Sequence, residues 1–345
     1  MSHKLLYFTS YFLKRLEKYN FPNINQLIAL SELGSIAGAG NIDRLNYSQS
    51  PLYINTINVP LARNISLEEC FYNKAIELSK VKETKKILWS GGIDSTALLV
   101  SLILNDKDFN YKIICRESSI KEYPLFYEKW VSKMNHEIRT DKTSIFFNDI
   151  FKDSLVITGY CGDCLVCNYD VVKDTSIELN EPWQKVMKLV TREKDLVYDI
   201  IEQHIKHGPV PIKTTNDLYL WLNFLFDWQE DTYKVTMRLD DPKKTVNHVP
   251  YYNTEDFQSW ALYNFEDITI KTWDNIKTHK KHFKDYIYNF TKDDVYKINK
   301  QKVISLPLGF PLKPHEQREH PYKHELLYDN YEAPTFLQFI KDYCT

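Results

Sequence analysis

One segment of the chain, ILWSGGIDSTALLVSLIL at residues 87–104, joins two apolar runs through small residues and an acid. The first run has the length of a buried strand, whereas the second has the length of a helix. Gly91 and Gly92 between them leave the main chain bare, so it can turn sharply and another group can approach it closely. A strand, a bare turn and a helix N-terminus direct several unpaired N–H groups at one point. The segment therefore predicts a site for an anion.

The side chains of this segment favour a phosphate group as that anion. Ser90, Ser95 and Thr96 carry hydroxyls that can donate hydrogen bonds to phosphate oxygens. Asp94 is only an acceptor when it is ionised, so we expect it to hold Mg²⁺ that neutralises the phosphate. Two common phosphate loops are excluded, because the segment contains neither G-x-x-x-x-G-K-S/T nor G-x-G-x-x-G.

From residue 86 onward the chain alternates short apolar runs with amphipathic stretches. This pattern indicates βαβ units and a parallel sheet, and hence an α/β fold. The segments that carry it are KILWS, STALLVSLIL, YKIICRE, YPLFYEKWVSKM, HEIRT and SLVITG. The predicted organisation is a mostly helical N-terminal segment at 1–80, a domain at 81–310 with a sheet core at about 86–168 and a helical part at about 175–306, and a tail packed on the domain at 311–345.

The pattern S-G-G-x-D-S resembles the PP-loop of the ATP pyrophosphatase superfamily. The positions that match it are Ser90, Gly91, Gly92, Asp94 and Ser95. The resemblance implies an adenine-nucleotide α-hydrolase-like fold and cleavage of ATP between its α and β phosphates, which leaves an adenylated substrate and pyrophosphate. It also implies that the end of the next strand receives the adenine, which makes Cys115 a candidate contact.

A second stretch, LVITGYCGDC at residues 155–164, resembles the TGEGADE segment of asparagine synthetases and β-lactam synthetases. In that segment acidic residues bind Mg²⁺ together with pyrophosphate. Thr158, Gly159 and Asp163 match it, so the resemblance implies that Asp163 is a metal ligand. The departures from the pattern are Tyr160 and Cys164 in place of glutamates and Cys161 in place of a glycine.

The resemblance extends to the C-terminal part of the domain, where these synthetases have an essential lysine after an aromatic helix and a loop. Aligned without gaps, that lysine corresponds to Lys302, with Lys297 and Lys300 as alternatives. A cation there would neutralise charge that develops on the α-phosphate and acyl oxygens. Glutamine-dependent asparagine synthetases begin with a catalytic cysteine, whereas this chain begins MSHKLL and its first cysteine is Cys70. We therefore expect the amine to come from ammonia, from the substrate itself or from a partner.

A cysteine triplet in the segment CGDCLVCN supports a different function. Cys161, Cys164 and Cys167 form a C-x-x-C-x-x-C pattern that could bring three thiolates to one Zn²⁺. A similar triplet occurs in 7-cyano-7-deazaguanine synthases, which are also PP-loop enzymes, so modification of a nucleobase or tRNA is the first alternative. A nucleotide-binding module that regulates a partner without turnover is the second, because the two glutamate positions are lost.

The composition limits the partners. The formal net charge is −2 over 345 residues with both signs spread along the chain, so no basic surface for nucleic acid is predicted. No apolar run approaches the roughly 18 residues of a membrane span, and the N-terminus lacks the pattern of a secretory signal. We therefore expect a cytoplasmic protein without a membrane partner, and we leave a homo-oligomer open.

Together these patterns predict an ATP-dependent, AMP-forming ligase of the asparagine-synthetase-like class that uses Mg²⁺. It would adenylate a small-molecule carboxylate with the help of Asp94, Asp163 and Lys302, and a small-molecule amine would then displace AMP.

Overall fold

The structure is a computed structural model. It describes residues 59–140, 148–151, 153–166, 178–185, 194–236, 247–269 and 279–300, together with residues 25 and 29. The predicted tail at 311–345, most of the predicted N-terminal segment, Lys302 and Cys167 lie outside these ranges.

The described strands form one sheet of five strands in the order β3-β2-β1-β4-β5. The strands are β1 Lys85–Leu88, β2 Tyr111–Arg116, β3 His136–Arg139, β4 Leu155–Thr158 and β5 His248–Pro250. All the pairings between them are parallel, which confirms the predicted α/β class. The narrower identification as a PP-loop fold stays a prediction.

Helices connect and cover these strands. They are α1 Leu67–Ser79, α2 Ile93–Asn105, α3 Glu117–Glu122, α4 Pro124–Lys129, α5 Asn148–Phe151, α6 Gly162–Val166, α7 Lys194–His207, α8 Thr215–Thr236, α9 Glu255–Tyr263, α10 Phe265–Ile268, α11 Lys281–Thr291 and α12 Asp294–Asn299, with a 3₁₀ turn at Val131–Lys133. Ser66 caps the start of α1, because its Oγ accepts a hydrogen bond from the Glu69 N at 3.0 Å. None of the described helices is both long and apolar enough to span a bilayer.

The strand β1 lies at the centre of the sheet, since it pairs with β2 on one side and with β4 on the other. Its last residue, Leu88, lies beside Ile114 of β2 and Thr158 of β4. The strand order reverses between β1 and β4. Open parallel sheets bind ligands in the crevice outside the carboxyl ends of the strands at such a point. The loops that follow β1 and β4 therefore flank the expected ligand position.

The packing of α2 determines which later helix reaches this crevice. Positions 95–102 of α2 are all buried, and α1 and α11 both pack against it. Phe71 of α1 stacks on Tyr286 of α11 with ring centroids 4.1 Å apart, and buried aromatic pairs of this kind stabilise the contact between helices. The result is that Lys280, immediately before α11, reaches Asp94 in the first turn of α2.

Two features differ from the expectations drawn from the sequence. The stretch YPLFYEKWVSKM divides into α4 and the 3₁₀ turn, because Trp130 at the junction has a φ of −126° and a ψ of −62°, which are not helical values. The strand β5 lies beyond the predicted sheet core and inside the part predicted to be helical. It has only three residues, HVP, so it offers no periodicity for a sequence pattern to detect.

Candidate functional site

The β1–α2 loop, residues 89–92, turns sharply at Gly91, whose φ is +74°. A β-carbon on Gly91 would lie 2.3 Å from the carbonyl oxygen of Ser119 and 2.7 Å from Glu122 Cβ. Only glycine fits here, because the backbone conformation and the close contacts both exclude a side chain. The structure thus contains the sharp turn that the glycine pair predicts.

Serine hydroxyls tie the β1–α2 loop to the first turn of α2. The Ser90 N donates a hydrogen bond to Ser95 Oγ at 3.1 Å, and the two serine hydroxyls lie 2.9 Å apart. The Gly92 N donates to Ser90 Oγ at 3.2 Å. Gly92 precedes α2 in an extended conformation, and no side chain from the described residues caps the helix. The first N–H groups of α2 therefore remain available to an anion.

The Thr96 side chain does not face the phosphate position that the sequence predicts for it. Its side chain is fully buried, and its Oγ1 accepts a hydrogen bond from the Trp89 Nε1 at 3.1 Å. A buried indole N–H needs an acceptor of this kind. The hydroxyl that was expected to contact phosphate instead supports the loop from its core side.

The loop that follows β4 lies against the first turn of α2. A β-carbon on Gly159 would come within 2.9 Å of the Ser95 N, so the contact requires glycine. Tyr252, which follows β5, donates a hydrogen bond from its hydroxyl to the main-chain oxygen of Asp94 at 2.7 Å. The segments after β1, β4 and β5 therefore meet around Asp94.

Lys280 joins the two predicted metal ligands. Its Nζ lies 2.6 Å from Asp94 Oδ2 and 2.5 Å from Asp163 Oδ1. The side chain of Lys280 is 7 % exposed, that of Asp94 20 % and that of Asp163 39 %. The two acids lie in the first turns of the helices that follow β1 and β4. The structure therefore brings them together at the crevice, with a lysine that sequence reasoning missed.

The environment of this cluster shifts its pKa values. Burial raises the pKa of Asp94 to about 6, although Lys280 opposes the rise and Asp163 adds to it. Burial by itself would lower the pKa of Lys280, but the carboxylates of Asp163 and Asp94 outweigh this effect and raise the pKa above its ordinary value. Lys280 is therefore an ammonium that serves as counter-ion to both acids.

The two carboxylates also fit a magnesium ion. Asp94 Oδ1 is buried and has no hydrogen-bond partner among the residues that the structure describes. A buried carboxylate oxygen without a partner is unfavourable, and a cation would satisfy it. Mg²⁺ is usually held by one or two carboxylates, while substrate phosphates and water supply its other oxygens. Asp94 and Asp163 beside an anion site provide this set of donors.

Two more lysines lie close to the β1–α2 loop. Lys300 forms an ion pair with Glu122, which contacts Gly91, and the side chains of the pair are 7 % and 2 % exposed. Lys284 lies one turn after Lys280 on α11, and burial together with the charges of Lys300 and Lys280 lowers the pKa of Lys284. Three lysine side chains therefore lie close to the β1–α2 loop, two of them paired with acids.

The lysines favoured by the sequence alignment have different positions. Lys302 lies outside the described residues. Lys297 Nζ contacts Asp285 Oδ1 at 2.9 Å on the surface, whereas Lys300 lies beside the loop. The gap-free alignment with the synthetases did not identify Lys280. A usable signal was the amphipathic helix KHFKDYIYNFT directly after Lys280, whose apolar face predicts a helix start packed on the domain.

The predicted cysteines are buried where the structure describes them. Cys115 Sγ donates toward the Glu137 main-chain oxygen at 3.7 Å, and burial raises its pKa to about 11, so this thiol is directed at β3 and not at an open pocket. Cys161 has a φ of +68°, a conformation that glycine adopts more readily, at the position where the similar synthetase segment has a glycine.

Cys164 is also buried. Within the described ranges no three His, Cys, Asp or Glu side chains are placed to hold a metal together. Cys167 lies outside those ranges, so the zinc site stays a prediction.

A cavity of about 320 Å³ adjoins Lys280. Its other lining residues are Val166, Asp267, Ile268, Thr269, Lys281 and His282. This volume is within the usual range for small-molecule pockets, and the lining includes both signs of charge.

Comparison with known proteins adds no relative from which to assign the site. No family model matches the chain, and no curated protein matches it either. What the chain does must therefore be inferred from its own residues and their arrangement.

Proposed function

We propose that the chain is an AMP-forming ligase that uses ATP to adenylate a carboxylate and then transfers the acyl group to an amine. The observation that carries this proposal is the convergence of Asp94 and Asp163 on Lys280 at the uncapped N-terminus of α2. This cluster lies at the carboxyl edge of the sheet, next to the point where the strand order reverses, which is where open parallel sheets bind ligands.

The phosphates of ATP would bind to the β1–α2 loop. The bare backbone at Gly91 and Gly92 lets phosphate oxygens approach the first N–H groups of α2. Ser90 and Ser95 keep the loop in shape through their hydrogen bonds. The ammonium groups of Lys280 and Lys300 lie at the same end of the helix, so they would attract the negative charge of the triphosphate.

Asp94 and Asp163 would hold Mg²⁺ together with phosphate oxygens. The ion would neutralise charge on the pyrophosphate group when it is bound. The unpaired Oδ1 of Asp94 supports this assignment, because the oxygen is buried without a hydrogen-bond donor from the described residues.

Lys280 would be the essential lysine of the reaction, the role that the resemblance to the synthetases assigns to Lys302. The reaction would begin with attack of a carboxylate oxygen on the α-phosphorus, while the bond from that phosphorus to the bridging oxygen breaks and pyrophosphate leaves. Negative charge on the phosphate oxygens would be stabilised by the ammonium of Lys280, which the two acids hold in place beforehand. An amine would then attack the acyl carbon, and AMP would leave.

The cavity beside Lys280 is the place for the carboxylate substrate, since Lys280 borders both the cavity and the acids that would bind the metal. A carboxylate in the cavity would thus lie near the α-phosphate and near a positive charge. Lys281 in the same wall favours an anionic group, whereas Asp267 carries the opposite charge and favours an amino group. Amino acids are therefore the first substrates to test.

The test is exchange of labelled pyrophosphate into ATP by the full chain, screened against amino acids and other carboxylates. We expect exchange that depends on one class of carboxylate and falls about 100-fold or more in Asp94→Asn. Asp108→Asn, which changes an exposed acid beyond the end of α2, is the matched control and should retain the wild-type rate.

Nucleotide binding without exchange for any carboxylate would contradict the ligase and favour a regulatory module. Stoichiometric zinc together with activity on a nucleobase or tRNA would favour the other alternative.

A further inference from the structure

We propose that Lys280 and the magnesium ion compete for Asp94 and Asp163, so that the metal binds together with the nucleotide and not before it. The inference depends on the proposed function, because it concerns the order in which metal and ATP enter the same site. It gives Lys280 a second task, as the cation that keeps the acids paired when nucleotide is absent.

The distances are the first reason. Lys280 Nζ already contacts Asp94 Oδ2 at 2.6 Å and Asp163 Oδ1 at 2.5 Å. A magnesium ion binds carboxylate oxygens at about 2.0–2.1 Å. An ion that bridged the two acids would have to take the place of the ammonium between them. Binding of a bridging metal ion to the unliganded protein therefore requires the ion pairs of Lys280 to break.

Charge is the second reason, and it applies even if the ion uses only the unpaired Oδ1 of Asp94. The single positive charge of Lys280 leaves the pair of acids with one net negative charge. A divalent ion added alone would change the net charge of the cluster from −1 to +1 and would lie close to the ammonium of Lys280. Two cations held close together in a buried site repel each other strongly. The phosphates of ATP supply the negative charge that lets both cations remain.

The two binding events are then coupled. If nucleotide raises the affinity of the site for metal by some factor, metal raises the affinity for nucleotide by the same factor. Lys280 sets that factor, because its ammonium must move from the carboxylates toward phosphate before the metal can enter. A neutral side chain at position 280 would remove the competitor and weaken the coupling.

The experiment measures binding of Mn²⁺, as a paramagnetic substitute for Mg²⁺, to the full chain by electron paramagnetic resonance. Without nucleotide we expect Lys280→Met to bind Mn²⁺ at least about ten-fold more tightly than the wild type does. With a non-hydrolysable ATP analogue the wild type should gain affinity for Mn²⁺ by a similar factor, and Lys280→Met should gain less. Lys107→Met is the matched control, because this lysine is exposed just beyond the C-terminal end of α2, at the opposite end of the helix from the site, and should leave both affinities unchanged.

Lys280→Arg separates charge from other effects, since it keeps the cation and should bind Mn²⁺ as weakly as the wild type does. If Lys280→Met does not fold, Lys280→Gln replaces it, because glutamine is neutral and can still donate a hydrogen bond to the acids. Equal Mn²⁺ affinity with and without the ATP analogue would overturn the proposal, and so would equal affinity in the wild type and in folded Lys280→Met.

The outcome is distinguishable from failure of the proposed function. If pyrophosphate exchange is absent but metal and nucleotide binding are coupled, the ligase proposal is contradicted and the competition between Lys280 and metal is supported. If exchange occurs but metal affinity is independent of Lys280, the ligase proposal is supported and the competition is contradicted.

Discussion

Gly159 and Ser95 are in such close contact that a β-carbon on the glycine would lie 2.9 Å from the Ser95 N. This contact seats the segment after β4, and with it Asp163, on the first turn of α2. We expect Gly159→Ala to push the two segments apart, because the nearest atoms are backbone atoms that cannot rotate away. Carboxylate-dependent pyrophosphate exchange should fall at least about ten-fold, as a barrier increase of roughly 1.4 kcal/mol would cause.

The two glycines of the β1–α2 loop should respond differently to alanine. In Gly91→Ala the left-handed conformation alone lowers the free energy of unfolding by about 1–2 kcal/mol, and the contact with Ser119 adds to this. In Gly92→Ala the new methyl group meets only Ser90 Oγ at 3.1 Å, so the loss should stay within about 0.5 kcal/mol. Urea unfolding measures both values, and equal losses would contradict the turn described here.

Thr96→Val and Ser95→Ala test which hydroxyl serves the ligand. Thr96→Val leaves the Trp89 N–H without its acceptor, which should lower the free energy of unfolding by about 1–3 kcal/mol and leave ATP affinity unchanged. Ser95→Ala removes the oxygen that holds Ser90, so we expect ATP to bind about ten-fold more weakly. Calorimetric titration with ATP distinguishes the two. If Thr96→Val bound ATP more weakly than the wild type, the result would support a contact between Thr96 and phosphate, as the sequence suggests.

The buried ion pair between Lys300 and Glu122 should be costly to break from one side. Lys300→Met leaves the Glu122 carboxylate buried and without its counter-ion, so we expect a loss of about 3–5 kcal/mol in the free energy of unfolding. Replacing both partners, in Lys300→Met with Glu122→Gln, should recover most of that loss because no charge is left unpaired. Unfolding in urea of both single variants and the double variant completes the cycle. If the loss in the double variant equalled the sum of the losses in the two single variants, the contact between Lys300 and Glu122 would contribute nothing to stability.

His282 should make stability depend on pH in a definite direction. Burial, and then the charge of Lys281, lower the pKa of His282 below its unfolded value of about 6.5. Folding therefore favours the neutral imidazole, so its contribution is complete above pH 6.5 and is lost as the pH falls toward the folded pKa. We expect His282→Gln to show a smaller decrease in unfolding free energy between pH 7 and pH 5 than the wild type shows. A steeper decrease in the variant would reverse the assigned sign.

Local patterns in the sequence predict much of the sheet and its helices. The apolar runs YKIICRE and SLVITG became β2 and β4, since a strand buried on both faces needs continuous apolar residues. The stretch HEIRT became β3 at the edge of the sheet, where Ile138 is exposed. The aromatic stretch LYLWLNFLFDWQ lies in α8, where positions 218–228 are all buried. The segment around Gly91 was also predictable, because one short stretch contains the strand, the turn and the helix.

The remainder of the site could not be predicted from local pattern. Lys280 and Tyr252 reach Asp94 through the packing of α11 on α2 and through the short strand β5. Neither relationship leaves a periodic signal, because it depends on how distant elements meet in three dimensions. Thr96 shows the opposite case, since its neighbours in sequence are ligand-like and only burial reveals that it faces Trp89.

The separation of 186 positions between Asp94 and Lys280 has a consequence for biosynthesis. At about 5–20 residues per second, a ribosome would add Lys280 roughly 10–40 seconds after Asp94. For the part of that interval that follows Asp163, the nascent chain holds both acids without the ammonium that balances them. Lys280 is thus the last of these three charges to be translated, and a polypeptide released before residue 280 would have no ammonium to balance the two acids.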